Sequence, residues 1–270
     1  MRCAITGATG VLGKEFIRQY NNKINFIAYK KDITNRKNII NWILKKDFDY
    51  FIHFAAIVPT KIVDKNYKFA KKVNYQGTKN IVDGLKKKNK KIWFFFSSTS
   101  HVYNFSKKPI RENSKTKPIS RYGITKFLSE KYIQNNFMKS KVSYSVGRIF
   151  SYTHYRQNKN FFIPKLFYKN KINNNLANSL NTIRDFIDIR DICRAIYFLM
   201  KYKKNGIFNI ASGKKINLVE IFNLVKKKKV FFNKFNSKND LYANINKLKS
   251  LGWNPRFNIN HIINNFRSKI

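Results

Sequence analysis

A run of three evenly spaced glycines near the start of the chain constrains the fold most strongly. The apolar segment Cys3–Thr6 has strand character, and residues 7–13 (GATGVLG) follow it directly. Glycine permits tight turns and close approach of two backbones, at positions where a side chain would collide. A helical pattern then continues to Tyr20. A strand, a glycine-rich turn and a helix in this order predict the first βα unit of a parallel sheet.

The first half of the chain repeats this alternation. The expected strands are Cys3–Thr6, Ile24–Tyr29, Tyr50–Phe54, Ile92–Ser97 and Val142–Ile149. The expected helices are Leu12–Tyr20, Asn35–Lys46, Asp64–Lys88 and Arg121–Asn136. Strands that alternate with helices build βαβ units, so we predict an α/β protein with a doubly wound parallel sheet of the Rossmann type.

The second half has a looser pattern, which predicts a smaller mixed α/β part. We expect helices at 161–169, 189–202 and 218–228 and a strand at Gly206–Ile210. The predicted division is a Rossmann domain over 1–157 and a substrate-binding cap over 158–270, with the helix 189–203 returning to the Rossmann domain. At 270 residues, the chain is long enough to bury a substantial core.

The charge of the chain is extreme, with 56 Lys and Arg against 13 Asp and Glu. The lysines are spread along the sequence, and Lys, Asn, Ile and Phe are all abundant, as expected for codons from an AT-rich genome. We find neither a helix-turn-helix motif nor a localised basic face, so we expect no specific nucleic-acid partner. Apolar runs such as Ile92–Phe96 are far shorter than the roughly 20 residues of a membrane span, which favours a cytoplasmic protein.

The two cysteines, Cys3 and Cys193, fall on a predicted strand and a predicted helix. They form neither a disulfide framework nor a zinc-binding spacing, and we therefore expect no metal site.

The glycine turn predicts a dinucleotide site, because the free N–H groups of a helix start attract a pyrophosphate. The expected cofactor contacts follow the first three strands: Gly7, Thr9, Gly10, Val11, Leu12, Gly13, Lys30, Asp32, Ile33, Phe54, Ala55 and Ala56. Enzymes selective for NAD usually carry an acidic residue at the end of the second strand. Lys30 and Lys31 stand there instead, which favours NADP over NAD.

Tyr122 and Lys126 lie four residues apart, so both fall on one face of a helix. An ammonium group near a phenol lowers the pKa of the phenol and makes it usable as an acid or base. Upstream, the strand 92–97 runs into Ser98, Thr99 and Ser100, which supply a hydroxyl to polarise a substrate oxygen.

Together these motifs resemble the NAD-dependent epimerase/dehydratase family of extended short-chain dehydrogenases/reductases, which modify nucleotide sugars. The resemblance runs through the stretches 74–78 (NYQGT), 97–103 (SSTSHVY), 184–191 (RDFIDIRD), 209–213 (NIASG) and 251–255 (LGWNP). It implies a homodimer formed through the long helices 64–88 and 121–136.

The resemblance also implies roles for individual residues. Thr99 would be the hydroxyl partner, with Ser98 as the alternative if the register differs by one residue. Tyr122 would be the acid/base and Lys126 the residue that orients the nicotinamide ribose. Asn74 would support the cofactor site. The expected contacts of a nucleoside-diphosphate sugar are Ser100, His101, Arg148 and Arg184.

Two departures from the family pattern narrow the function. Family 4,6-dehydratases usually carry an acidic pair after the threonine, whereas this chain has Ser100 and His101. The segment 149–154 (IFSYTH) lacks the Gly-Pro that commonly follows Arg148. The first departure disfavours elimination of water.

We therefore expect NADPH-dependent reduction of a 4-keto-6-deoxyhexose for surface polysaccharide synthesis. The alternative is an NAD-dependent nucleotide-sugar 4-epimerase. A third interpretation, from another class, is a noncatalytic member that binds a dinucleotide or RNA.

Overall fold

The computed structural model describes residues 1–58, 60–168, 180–227, 237 and 239–270. Its strands are β1 (Arg2–Thr6), β2 (Asn25–Tyr29), β3 (Tyr50–His53), β4 (Ile92–Thr99), β5 (Val142–Ile149), β6 (Ser151–Thr153), β7 (Ile183–Arg184), β8 (Phe186–Asp188), β9 (Gly206–Ile210) and β10 (Ile216–Asn217). A six-stranded sheet has the order β2-β1-β3-β4-β5-β9. The predicted Rossmann-like parallel sheet is confirmed.

The helices flank this sheet or follow it along the chain. They are α1 (Val11–Tyr20), α2 (Arg36–Lys45), α3 (Thr60–Lys65), α4 (Tyr67–Lys71), α5 (Gly77–Lys88), α6 (Arg121–Phe137), α7 (Phe162–Tyr168), α8 (Ile189–Lys201), α9 (Leu218–Lys226), α10 (Asn246–Ser250) and α11 (Ile259–Arg267). Residues 169 and 228, the expected ends of two helices, lie outside the described residues.

The expectation of one continuous helix over 64–88 was wrong. The side chain of Asn66 accepts a hydrogen bond from the backbone N–H of Phe69 and so caps α4 as a separate helix. A π-helical turn at Lys72–Gln76 then leads into α5. The sequence carries a helical pattern throughout this segment, and a single cap decides where it breaks.

One face of the sheet buries a large apolar cluster that is rich in aromatic residues. Helices α2, α5 and α6 contribute, among others, Ile43, Leu85 and Phe137, and β4 contributes Phe94 and Phe96. Burial of each side chain of this kind contributes roughly 1.5–3 kcal/mol. The continuous apolar run at the start of β4 is typical of a strand that is covered on both faces.

By its internal contacts, the chain divides into two compact units. The first comprises Met1–Tyr103, Thr116–Arg148 and Cys193–Phe208; the second comprises Asn104–Lys115, Ile149–Ile192 and Asn209–Ile270. The second unit has its own core, to which Ile163, Phe222 and Phe266 belong. It contains the antiparallel pair β7–β10 and the parallel pair β6–β8. The assignment of cofactor and substrate binding to separate domains stays a prediction.

In the part of the chain that the structure describes, no helix is long and apolar enough to cross a membrane.

Candidate functional site

Three segments expected to carry function follow three adjacent strands. β1 pairs in parallel with β3, so that Thr6 lies opposite His53, and β3 pairs in parallel with β4, with His53 opposite Phe96. The carboxyl ends of parallel strands meet at one edge of a sheet, where ligands of this fold class bind. The glycine turn, the segment 54–56 and Thr99 therefore gather at the same edge.

Close packing explains the first and last glycines of the turn. Gly7 has φ +73°, and a Cβ atom on it would lie 2.5 Å from the backbone nitrogen of Ala55. A Cβ atom on Gly13 would lie 2.2 Å from the carbonyl oxygen of Gly7. Gly10 precedes α1 and has no side chain to cap it. The N–H groups of the first helical turn are therefore left for an anion. The remaining positions between these glycines are Ala8, Thr9, Val11 and Leu12.

Asp32, after β2, is held in a local turn by Thr34. The carboxylate of Asp32 accepts hydrogen bonds from the backbone N–H and the hydroxyl of Thr34 at 2.8 and 2.7 Å. These bonds hold the pKa of Asp32 below its usual value. Lys30 is exposed at the strand end. Ile33 is buried in the apolar cluster, which gives it a packing role in addition to any contact with a cofactor.

His53 is a buried structural residue. Thr78 donates its hydroxyl hydrogen to the carbonyl oxygen of Asn74 at 2.6 Å, so it accepts a hydrogen bond from Nε2 of His53 at 3.0 Å. Nδ1 of His53 then accepts from the hydroxyl of Thr6 at 2.7 Å. Burial, helped by the nearby Lys126, lowers the pKa of His53 well below its usual value. The ring is neutral and ties β3 to the neighbouring segments.

Asn74 joins three segments around the expected cofactor site. Its amide group accepts from the backbone N–H of Ile57 at 2.8 Å and donates to the carbonyl oxygen of Ile57 at 3.0 Å. It also donates to the hydroxyl of Thr125 on α6 at 3.1 Å. Asn74 lies in the π-helical turn, a feature that is frequent at functional sites.

The three candidate catalytic residues come from the end of β4 and the first half of α6. Thr99 is the last residue of β4, and Tyr122 and Lys126 are both buried on α6. The ammonium of Lys126 lies 4.5 Å from the centre of the Phe96 ring. Burial lowers the pKa of Lys126 to about 7, and Glu130 opposes this shift. A buried group with a strongly shifted pKa is a candidate functional residue.

Gly123 was not predicted from the sequence, yet it determines how close α6 comes to the end of β4. A Cβ atom at Gly123 would lie 2.2 Å from the carbonyl oxygen of His101. Ser120 caps α6 by accepting a bond from the Gly123 N–H at 3.0 Å, and its hydroxyl meets Nδ1 of His101 at 3.0 Å. The ring centres of His101 and Tyr122 lie 6.1 Å apart. Ser100, His101 and Tyr122 are therefore neighbours in the first unit.

Arg148, expected to contact substrate, lies in a buried ion pair. Its Nη2 donates to Oε2 of Glu130 at 2.7 Å, and its Nε donates to both carboxylate oxygens. Ser98 donates a short hydrogen bond to the same carboxylate. This geometry favours a structural role for Arg148 over substrate binding. Sequence reasoning missed Glu130, although its place four residues after Lys126 on the same helix face was a usable signal.

Arg184 lies in the second unit. Its Nη1 donates to the carbonyl oxygens of Ile183 and Asn239, and burial lowers the pKa of Arg184 to about 10. Next to it, the buried carboxylate of Asp185 accepts bonds from Ser212 and Gly213 at 2.7–2.9 Å. Asp185 therefore organises the segment around 212, while Arg184 is partly exposed.

The model of the NAD dependent epimerase/dehydratase family matches residues 3–211. The chain belongs to this family. This membership confirms the family that the sequence motifs predicted. It also confirms the expected class of NAD(P)-dependent enzyme.

Relatives and solved structures of this family resemble the chain over most of its length. A GDP-6-deoxy-D-talose 4-dehydrogenase from Aggregatibacter actinomycetemcomitans is 29% identical, over 83% of this chain and 79% of that protein. The UDP-glucose 4-epimerase of Thermotoga maritima, solved with UDP-glucose, has a TM-score of 0.85 at 20% identity and covers 100% of this chain and 99% of its own. RMD from Pseudomonas aeruginosa, complexed with NADPH, has a TM-score of 0.84 at 18% identity, with coverage of 100% and 99%. At such identities, the solved structures support the fold alone.

The residues present fit a nicotinamide dinucleotide. The uncapped start of α1 suits a pyrophosphate, and Lys126 brings an ammonium group to the same first unit as Thr99 and Tyr122. Ribose hydroxyls would satisfy that ammonium. Over the described ranges, no group of three or more His, Cys, Asp or Glu side chains is arranged to hold a metal ion.

Proposed function

We propose that this enzyme reduces carbon 4 of a nucleoside-diphosphate 4-keto-6-deoxyhexose, with NADPH, for surface polysaccharide synthesis. The observation that carries the proposal is the set of Thr99, Tyr122 and Lys126, joined through the contact of α6 with the turn after β4. A noncatalytic protein that binds a dinucleotide or RNA has no need of all three. The nicotinamide, when bound, exchanges hydride with carbon 4 of the sugar.

The protein side chains handle the proton. Thr99 donates a hydrogen bond to the oxygen on carbon 4, and the phenol of Tyr122 gives that oxygen its proton as the carbonyl is reduced. Lys126 binds the ribose hydroxyls. When its amine is protonated, the positive charge stabilises the Tyr122 phenolate that remains after proton transfer. Solvent then restores the tyrosine proton. In the reverse direction, Tyr122 is the base.

Two observations favour reduction over dehydration. Elimination of water needs an acid/base pair next to the threonine, and Ser100 and His101 occupy those positions. The name of the relative GDP-6-deoxy-D-talose 4-dehydrogenase describes oxidation at carbon 4 of a 6-deoxyhexose. That oxidation is the reverse of the reduction proposed here.

The preference for NADPH rests on the end of β2. Lys30 is exposed there, Lys31 follows it, and the carboxylate of Asp32 is held by Thr34. A 2′-phosphate suits the charge of the two lysines, which stand where an NAD-selective enzyme usually carries an acidic residue. Replacement of both Lys30 and Lys31 by Ala should lower kcat/KM for NADPH and leave that for NADH nearly unchanged.

The alternative function is NAD-dependent 4-epimerisation of a nucleotide sugar. This alternative is supported by the UDP-glucose 4-epimerase of Thermotoga maritima, whose solved structure has the same fold. Both functions use the same three residues, and they differ in whether the cofactor leaves after each turnover.

One assay separates the possibilities. The purified protein is mixed with NADPH or NADH and a panel of nucleoside-diphosphate 4-keto-6-deoxyhexoses and ordinary hexoses. Stoichiometric loss of NADPH absorbance with a 4-keto sugar supports the reductase. Interconversion of two hexoses without net cofactor change supports the epimerase. Dinucleotide binding with no turnover of any sugar overturns both.

We also propose that Arg184 binds the substrate diphosphate, since a guanidinium is permanently charged and matches phosphate geometry. Arg184→Lys keeps the charge but loses the fork of N–H donors. It should raise KM for the nucleotide sugar about tenfold while kcat stays similar.

A homodimer is the proposed assembly. Helices α3, α4 and α6 expose Ile62 (50%), Phe69 (54%) and Ile124 (38%), which are costly to leave in water. Ile62→Ser with Phe69→Ser should convert a dimer to a monomer in sedimentation equilibrium, whereas a monomeric parent protein would exclude this assembly.

A further inference from the structure

The turns that lead into the sheet strands are rich in lysine. Lys45 and Lys46 precede β3, lysine occupies every position of 86–91 except Asn89 ahead of β4, and Lys139 and Lys141 precede β5. Because parallel strands begin at one edge of a sheet, these turns share the edge opposite the glycine turn. The fold thus gathers at one edge of the sheet lysines that are dispersed in the sequence.

Hydrogen bonds connect these turns into one surface. The ammonium of Lys88 donates to the carbonyl oxygen of Leu44 at the end of α2, at 3.1 Å. The ammonium of Lys86 donates to the side chain of Asn136 near the end of α6, at 3.0 Å. The ends of α2, α5 and α6 therefore lie side by side.

The same surface extends to the turn before β9. The indole N–H of Trp93, at the start of β4, donates to the carbonyl oxygen of Lys204 at 2.8 Å. Lys201 and Lys203 are exposed in this turn. Together with the turns before β3, β4 and β5, this segment defines the basic edge.

Exposed apolar side chains lie among the lysines of the basic edge. Leu44 is 42% exposed, Met138 75% and Tyr202 53%. Lysines at helix ends have an ordinary explanation, because the helix dipole favours cations there. That explanation does not account for large apolar side chains held in water at the same ends.

Acidic residues do little to neutralise the basic edge. Asp47 and Asp49 lie in it, and both are engaged by Lys90 at 2.8 Å. Arg2 contacts Asp47 as well. Within the part of the chain that the structure describes, the ion pairs of Asp47 and Asp49 are therefore made with Arg2 and Lys90 and not with Lys46 or Lys87.

We infer that the basic edge docks on an anionic membrane surface. Lysines that surround protruding aliphatic side chains suit a bilayer interface, where the charges meet lipid phosphates and the apolar groups enter the headgroup region. Nucleic-acid surfaces favour arginine and stacking aromatic residues, whereas the basic edge exposes mainly lysine, with Leu44 and Met138 beside one aromatic residue, Tyr202. This inference goes beyond the proposed reaction and does not depend on it.

The test uses the full chain and sedimentation with vesicles. Binding is compared between phosphatidylcholine vesicles and vesicles with about 30% phosphatidylglycerol, at ~0.1 M salt. The protein should bind only the anionic vesicles. Replacement of Lys46, Lys87, Lys91 and Lys139 by Gln should weaken binding by about 1000-fold. Leu44→Ser with Met138→Ser should weaken it roughly tenfold at unchanged charge.

A matched variant separates a local surface from the general charge of the chain. It replaces Lys115, Lys215, Lys249 and Lys269, which are exposed in the second unit, by Gln. Binding close to that of the parent supports the basic edge, whereas an equal loss assigns the effect to net charge and overturns the inference. Failure of the parent protein to bind anionic vesicles also overturns it, as does tighter binding of an RNA oligonucleotide through the same four lysines. Unchanged thermal unfolding verifies that each variant is folded.

Discussion

Glu130 and Arg148 form an ion pair in the interior of the first unit, with Nη2 of Arg148 2.7 Å from Oε2 of Glu130. Their side chains are 1% and 4% exposed. Glu130 also accepts a hydrogen bond from Ser98, next to Thr99, and the guanidinium of Arg148 lies 4.6 Å from the centre of the Tyr103 ring. The ion pair thus links α6 and β5 to β4. It contacts Ser98, just before the turn that carries Thr99 and His101, and Tyr103, just after that turn.

Loss of Glu130 should destabilise the protein strongly. Glu130→Ala leaves a buried guanidinium without its partner, so the free energy of unfolding should fall by about 3–5 kcal/mol in urea titrations. The control is Asp47→Ala, which removes an exposed partner of Arg2. It should lower the free energy of unfolding far less, because exposed ion pairs are screened by solvent. Equal effects of the two changes would contradict the structural role given to the buried pair.

Removal of the phenol hydroxyl should separate binding from turnover. Tyr122→Phe should lower kcat by about 10²–10⁴-fold, because the proton transfer to the sugar oxygen is lost. The Kd for the dinucleotide, measured by fluorescence titration, should change little. Undiminished kcat would remove Tyr122 from the role of acid/base.

Lys126 should impose a pH-dependent cost on stability. Its pKa is about 7 in the folded protein, lowered mainly by burial. In the unfolded chain it lies near about 10.4. Between these pH values the unfolded chain binds more protons than the folded protein. The free energy of unfolding therefore rises with pH from about 7 to about 10. Below pH 7 the destabilisation by the buried lysine has its full value.

Lys126→Met removes this titration. At pH 6, without cofactor, the variant should be more stable than the parent by on the order of 3 kcal/mol. The advantage should shrink toward pH 10, and activity should be lost at every pH. Lys91→Met, at an exposed position, provides the control and should show no such dependence. A constant difference between K126M and the parent from pH 6 to 10 would contradict the lowered pKa.

A methyl group at Gly123 should disturb the catalytic geometry. The nearest atom to a Cβ there is a backbone oxygen at 2.2 Å, which cannot move away as a side chain can. Gly123→Ala should lower kcat at least about tenfold through misplacement of Tyr122. In the matched helical variant Gly84→Ala, the added Cβ meets the end of the Ile43 side chain at 2.9 Å. Its kcat should stay close to that of the parent.

The sequence alone determined the fold class and the order of the main elements. The alternation of apolar runs and helical patterns predicted β1 to β5, because a strand and a helix bury their side chains with different periods. The glycine turn was predictable because the backbone conformation of a tight turn depends on the residues within the turn itself. The spacing of Tyr122 and Lys126 placed both on one helix face for the same reason.

Tertiary structure decided what depends on distant residues. The pairing of Arg148 with Glu130 joins positions 18 residues apart and changes the expected role of the arginine. The requirement for Gly123 arises from the carbonyl of His101, and the basic edge arises because successive turns meet at one end of the sheet. Local pattern specifies helices, strands and turns, but burial, pKa shifts and surface charge depend on which segments the folded chain brings together.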